Sequence, residues 1–429
     1  MKKKYRIILY TSIFLLCVVA SIILVVKKSN SVYEEESKPK VVKHKSMLSM
    51  NLEQTAGSGD YKTVTQSSWP TEGYKFNAEL SRCENGSTLS WDDTKKAVIV
   101  SGNLSDKCYV YFDIYQPTLA EYIKSQYTGT QGENNIYYHD SDLANGAGDN
   151  SYRYAGANPN NFVCFGSDTS PCPTDNLYRI IGVFGENYHG VTGKQLVKLI
   201  KYDYMTTDEL GTDGDYSQTY KEWGMDSTYK GTYGDGERIG VYYWNYKATN
   251  SATNTWSTSL LNKTNLNTNF INNIGTTWAN KIATVTWKVG GNTYANISQS
   301  VPATTYQNEI VNPVTTNTTD NATTYSAKIG LMYVSDYGFA ASPDAWTLTM
   351  SSYNNTTAKN NNWMYMGLYE WTISRNADLS NSAFFVNYAG YVNYFNVYNN
   401  FGVRASFSLE SSVSYVSGSG SMSDPIVIN

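Results

Sequence analysis

Between Leu379 and Leu409 the chain carries a single charge, Arg404, among closely spaced Asn and Tyr residues. Asn387, Tyr388, Tyr391, Asn393, Tyr394, Asn396, Tyr398 and Asn399 combine amides, which donate and accept hydrogen bonds, with rigid phenol rings that end in a hydroxyl. This is the chemistry of a neutral contact surface. Acid–base or metal chemistry has less to work with: the 429 residues include three His and five Cys. His139 and His189 stand alone in polar stretches and are expected in solvent. Asp208, Asp213 and Asp215 offer oxygen ligands of the kind calcium takes, but without an EF-hand arrangement, so a solvated loop is expected there. No Ser-His-Asp order, metal-ligand spacing or phosphate loop is evident, and no metal or cofactor is expected. Arg404 is expected to clamp a buried carboxylate or backbone carbonyls, and Trp371 to serve the core.

Composition agrees with a neutral surface. Only 16% of residues are charged, while Tyr numbers 38 and Asn 43. A net charge of -4 argues against nucleic-acid binding, which calls for clustered Lys and Arg.

The elements that must carry this segment begin with an anchor. Residues 7–26 form an uncharged apolar run after Lys2, Lys3, Lys4 and Arg6, long enough to span a bilayer as a single-pass signal-anchor. Cleavage as a signal peptide is the alternative. Cysteines sort into local pairs, Cys83 with Cys108 and Cys164 with Cys172, which suggests two disulfides and an oxidising, extracellular side of the cell membrane. Four free thiols in a cytosolic protein are the other reading. Residues 29–60 mix charge blocks with Ser and Gly and are expected to form a flexible stalk. Residues 61–115 alternate in short runs between turn signals and predict a small β-module, whose thin core a Cys83–Cys108 bridge would staple. Residues 116–161 read as a connector that opens with a helix capped by Thr118 and Glu121. Residues 162–429 read as one α+β domain, with strands near 177–184, 196–200 and 328–334, and two helices between Thr255 and Ile282 that break near Asn265.

The segments Cys83-Glu84-Asn85-Gly86-Ser87 and Ser105 to Asp113 resemble a repeated cysteine-paired module of anchored surface proteins from low-GC, Gram-positive-related gut bacteria. Downstream, Tyr178 to Phe184, Lys328 to Ala340, Glu370 to Arg375, Gly390-Tyr391-Val392 and Gly402-Val403-Arg404 resemble a surface domain of the same bacteria. That domain is similar to the C-type-lectin-like fold of formylglycine-generating enzymes and phage tropism determinants. One position departs, because Ala405 stands where the family has Pro. The resemblance implies a non-enzymatic, stalked adhesion protein whose Asn/Tyr segment binds a host or bacterial surface protein or glycan, and whose codons there are open to diversification. A formylglycine-generating-like enzyme needs reactive cysteines near the C-terminal core, and none follows Cys172. A purely structural envelope protein is the third reading.

Overall fold

The computed structural model describes residues 48–65, 68–70, 73–185, 189–219, 239–246, 252–314 and 322–429. The expected anchor over residues 7–26 lies outside them, and no helix among the described residues is long and apolar enough to cross a membrane. The fold is mixed α+β and rich in strands. It divides into two compact units at Gln116 and Pro117.

In the first unit, strands β1 (Leu48–Glu53), β2 (Tyr61–Val64), β3 (Tyr74–Cys83) and β6 (Cys108–Ile114) form a sheet in the order β2-β1-β6-β3, beside a hairpin of β4 (Thr88–Asp92) and β5 (Ala97–Ser101). This corrects the stalk's expected extent. Leu48, Met50 and Leu52 alternate with polar residues, the period of a strand with one face inward, and β1 lies between β2 and β6. The charge blocks upstream masked that short pattern. Met50, Leu52, Val110 and Phe112 are the buried core, and the Phe112 ring meets Trp69 at 5.9 Å, Phe76 at 5.9 Å and Trp91 at 5.6 Å. Cys83 and Cys108 are register partners on β3 and β6 and form a disulfide. Buried Asp106 accepts hydrogen bonds from the Asn85 and Ser87 amides at 2.9 and 3.1 Å and so fixes the turn beside that bridge.

The second unit contains the expected connector as an integral part. Its main sheet runs β16 (Ile329–Gly330), β21 (Ser406–Ser408), β11 (Leu196–Lys201), β10 (Leu177–Phe184), β8 (Tyr152–Tyr154) and β7 (Ile136–Tyr138), with β9 (Phe162–Cys164) also pairing β10. Every pairing is antiparallel. All residues of β10 and β11 are buried, the charged Arg179, Lys198 and Lys201 among the apolar ones. Gly182 follows a bulge in β10, where any Cβ would meet the Tyr152 carbonyl oxygen at 2.2 Å. The unit's two ends meet, because Leu119 N–H donates to Val413 O at 2.8 Å and Tyr415 N–H to Pro117 O at 2.9 Å. Both halves of the Thr118–Glu121 capping box form at the start of the helix Leu119–Ser125. Smaller sheets join β12 (Tyr216–Thr219) and β13 (Gly240–Tyr243) to β20 (Asn400–Phe401), β14 (Val285–Lys288) to β15 (Thr324–Ala327), β17 (Glu370–Arg375) to β18 (Ser382–Val386) and β19 (Val392–Asn396), and β22 (Tyr415–Ser417) to β23 (Val427–Ile428). Cys164 and Cys172 form the second disulfide.

Two expected boundaries move. The helical region after Leu260 runs through Asn265 and breaks at Gly275, where φ is 77°. Asn265 faces inward, donating to Leu210 O at 2.8 Å and Asp213 O at 2.9 Å, so an apparent breaker is a buried connector. The strand expected over 328–334 stops at Gly330, and a helix occupies Val334–Phe339.

A core this thin leans on its cross-link. Replacing Cys83 and Cys108 together by Ser is expected to destabilise the first unit by about 3 kcal/mol, as loop closure across such a span implies. Amide exchange at Leu52 and Phe112 would accelerate accordingly.

Candidate functional site

The strand β19 has a strand partner on one side, β18, and its side chains alternate between two faces. Asn393 sits opposite Phe385, and Tyr394 opposite Phe384. The expected binding residues therefore do not share one face. On the Phe385 face, Tyr369 joins the cluster: its ring stacks on Phe401 at 5.1 Å and meets Tyr388 edge-on at 5.2 Å. The Asn387 side chain hydrogen-bonds Tyr369. Burial raises the Tyr369 hydroxyl's pKa, Tyr388 and Tyr391 raise it further, and the Asn387 hydrogen bond opposes the rise. Tyr388 and Phe395 are the most open, 42% and 46% exposed.

The turn holding these groups is built locally. Asn387 N–H donates to Tyr391 O at 2.8 Å and Gly390 N–H to Asn387 O at 2.7 Å, with φ of Gly390 at 99°. Asn387 Oδ1 accepts from Ala389 N–H at 2.8 Å, Tyr365 donates its hydroxyl to Tyr388 O at 2.5 Å, and Tyr337 donates to Gly390 O at 2.7 Å.

The other expected residues are occupied elsewhere. Tyr394 packs against Tyr294 at 5.3 Å and Phe384 at 6.4 Å. Asn396 Nδ2 donates to the Tyr398 hydroxyl at 2.8 Å, and Asn399 Nδ2 donates to Asn396 O at 3.2 Å, so these three close a turn on themselves. Tyr369 was missed because it precedes a strand that reads as core. Its partner across the sheet, in the Asn387 to Tyr391 turn, lies too far along the chain for periodicity to reveal.

Arg404 fastens this edge to the interior. Its Nε donates to Glu370 Oε1 at 2.8 Å, and its Nη2 donates to Glu370 Oε2 at 3.0 Å and to Met364 O at 2.7 Å. Arg404 and Glu370 are 1% and 2% exposed. Burial raises the Glu370 carboxyl above its ordinary value, and the guanidinium works against that rise. Glu370 directly follows Tyr369, so the ion pair sets the path of the aromatic edge. Trp371 is fully buried, donates Nε1–H to Tyr242 O at 2.9 Å and lies 4.4 Å from Phe401.

The titratable residues expected in solvent are inside the protein. His139 is fully buried against Phe339 and Trp346, its Nδ1 accepting Ala147 N–H at 3.0 Å. His189 retains 10% exposure, lies 2.9 Å from Asp149 Oδ2, and packs on Phe184. Burial lowers the pKa of both rings. Each has polar neighbours in sequence, but aromatic residues distant along the chain enclose it. Asp149 also pairs with Arg153 at 2.7 Å; burial alone would raise its carboxyl, and the guanidinium and His189 hold it well below the usual range.

Asp208, Asp213 and Asp215 do not converge, and among the described residues no group of three or more His, Cys, Asp or Glu is placed to hold a metal ion. Asp213 accepts from Asn269 Nδ2 at 2.6 Å. Asp215 is 1% exposed and accepts the Leu260 and Leu261 amides at 3.1 Å, a buried cap where a solvated loop was expected.

Two measurements probe these buried charges. Glu370→Ala or Arg404→Ala strands the partner in a dry site and is expected to cost about 3–5 kcal/mol in denaturant unfolding, with the double variant costing less than the sum of the two. Burial raises Asp215 from 3.8 to about 6, so the folded state binds the proton more tightly than the unfolded chain. Its contribution is fully present below 3.8 and is lost as pH rises through about 6. The stability of Asp215→Asn relative to the unsubstituted chain is therefore expected to climb across that window, by on the order of 3 kcal/mol, and to level off above it.

Comparison with known proteins adds no further assignment: no family model, no curated protein and no solved structure matches this chain.

Proposed function

We propose that this chain is a cell-surface binding protein, anchored through residues 7–26, whose second unit has a C-type-lectin-like fold and presents the Tyr369, Tyr388, Tyr391 and Asn387 cluster to a glycan or protein. The observation that carries this reading is the packing of the Tyr369 ring against Tyr388 and Phe401 where β17 begins and β18 ends, beside the exposed rings of Tyr388 and Phe395. Phenol rings offer flat apolar area to the C–H faces of a sugar or to a protein side chain. Their hydroxyls satisfy the ligand's polar groups, and buried Asn387 holds the turn behind them.

Two further features support it. The turn from Asn387 to Tyr391 is fixed by backbone hydrogen bonds and by the ion pair behind it, so little ordering entropy remains to be lost on binding. The meeting of the unit's ends and its long irregular connections are compatible with a lectin-like architecture. A thiol enzyme of the formylglycine-generating kind is less well supported, because all four described cysteines are in disulfides.

The test is a binding screen of the intact chain against glycans and surface-protein extracts. Tyr388→Ala with Tyr391→Ala is expected to weaken capture by roughly tenfold or more, the loss typical of central aromatic contacts. Asn396→Ala, on the self-closed turn, should bind as the unsubstituted chain does. Equal binding by the folded Tyr388/Tyr391 variant would remove this face from consideration.

A further inference from the structure

We propose that Lys198 and Asp336 condense spontaneously into an intramolecular amide, a permanent cross-link between β11 and the helix Val334–Phe339. The two residues are 138 positions apart in sequence. Lys198 Nζ donates directly to Asp336 Oδ2, and the side chains are 5% and 2% exposed. Three aromatic rings surround the amine: Tyr333 at 4.4 Å, Trp287 at 5.2 Å and Phe184 at 5.9 Å. Asp336 is the only hydrogen-bond partner of Nζ among the described residues. An amine and a carboxyl held in contact and away from water meet the positional requirement for condensation, since orientation replaces a bimolecular encounter.

The surroundings supply what the reaction needs. Burial lowers the pKa of Lys198, with Asp336 opposing, which favours the neutral, nucleophilic amine. Glu309 is 1% exposed and accepts hydrogen bonds from Ser335 N–H at 2.6 Å and Ser374 Oγ–H at 2.5 Å, immediately before Asp336 in the helix. Burial pushes its carboxyl up to about 7, and the hydrogen bond it accepts from Ser335 holds the helix start that carries Asp336. Arg153 Nη1 lies 3.8 Å from Asp336 Oδ1 with no hydrogen-bond partner among the described residues, while Ser151 and Asp149 fix the rest of its guanidinium at 2.8 and 2.7 Å. That spare N–H faces the oxygen on which negative charge would develop. Beside Lys198 and Tyr333 is a cleft, lined also by His189, Trp287, Thr286 and Ser408, of about 20 Å³. It is of the size that holds a water molecule.

The step balances without an outside reagent. Nζ passes one proton to Oδ2 across their hydrogen bond and, now neutral, attacks Cγ, so that the new oxyanion faces Arg153. A second proton moves from the nitrogen to the departing hydroxyl. The Cγ–O bond breaks, one water leaves towards the cleft, and the Nζ–Cγ amide remains. Nothing is oxidised or reduced. Before the step, Lys198 and Arg153 face Asp149 and Asp336, with His189 also in contact with Asp149. Afterwards the Arg153–Asp149 pair alone is charged, which relieves the cost of burying a second ion pair.

The test is intact mass spectrometry of the full chain, reduced and denatured, followed by peptide mapping. The expected result is a mass below that of the sequence by one water molecule, and a branched peptide joining Lys198 to Asp336. Lys198→Arg preserves the charge pair and should restore the full mass. A full sequence mass in the unsubstituted chain, or a dehydrated species mapping elsewhere, would establish an ordinary buried ion pair and overturn the proposal.

Discussion

The ion pair between Arg404 and Glu370 is the constraint on which the candidate surface depends. Both groups are out of water, and their fork-to-carboxylate contact is completed by the Met364 carbonyl. Arg404 lies just ahead of β21, which enters the main sheet between β11 and β16. Glu370 opens β17 and follows Tyr369. The pair thus joins the main sheet to the aromatic edge through a contact that tolerates little displacement, because a buried charge that loses its partner is expensive.

The abundance of Asn takes on a structural meaning. Asn254 Nδ2 reaches the carbonyls of Asn376, Leu379 and Ser382 at 2.7 to 2.8 Å, Asn362 Nδ2 reaches Tyr337 O at 2.9 Å, and Asn267 Nδ2 reaches Ile329 O at 3.0 Å. Asn376 and Leu379 lie in an irregular stretch, and Ser382, Ile329 and Tyr337 lie at or near the ends of short elements, where buried backbone groups must still be satisfied. In a unit of short strands and long connections, side-chain amides do part of the work that sheet hydrogen bonds do elsewhere. Eleven Asn residues are buried among the described residues, so a part of the Asn excess lies in the interior.

The sequence made the regular parts legible. Period-two runs located β3, β5 and β6 of the small module but not β1, largely apolar runs located β10 and β11, and the cysteine spacing paired both disulfides. Local capping chemistry placed the helix after Thr118. Long-range placement was not legible. His139, His189 and Asp215 have polar sequence neighbours, and only folding surrounds them with rings and amides from elsewhere in the chain. For the same reason the Asn/Tyr segment located the edge near Asn387 to Tyr391, but not the division of its side chains between two faces or the arrival of Tyr369.

The dependence of the aromatic edge on the buried ion pair is open to one direct measurement. Arg404→Lys preserves charge while removing the planar fork that bonds Glu370 and Met364 together. Hydrogen–deuterium exchange of this variant against the unsubstituted chain should show faster exchange across residues 382–401, with residues 48–114 unchanged. Unaltered protection across 382–401 would contradict the account, because the edge would then hold its shape without the pair.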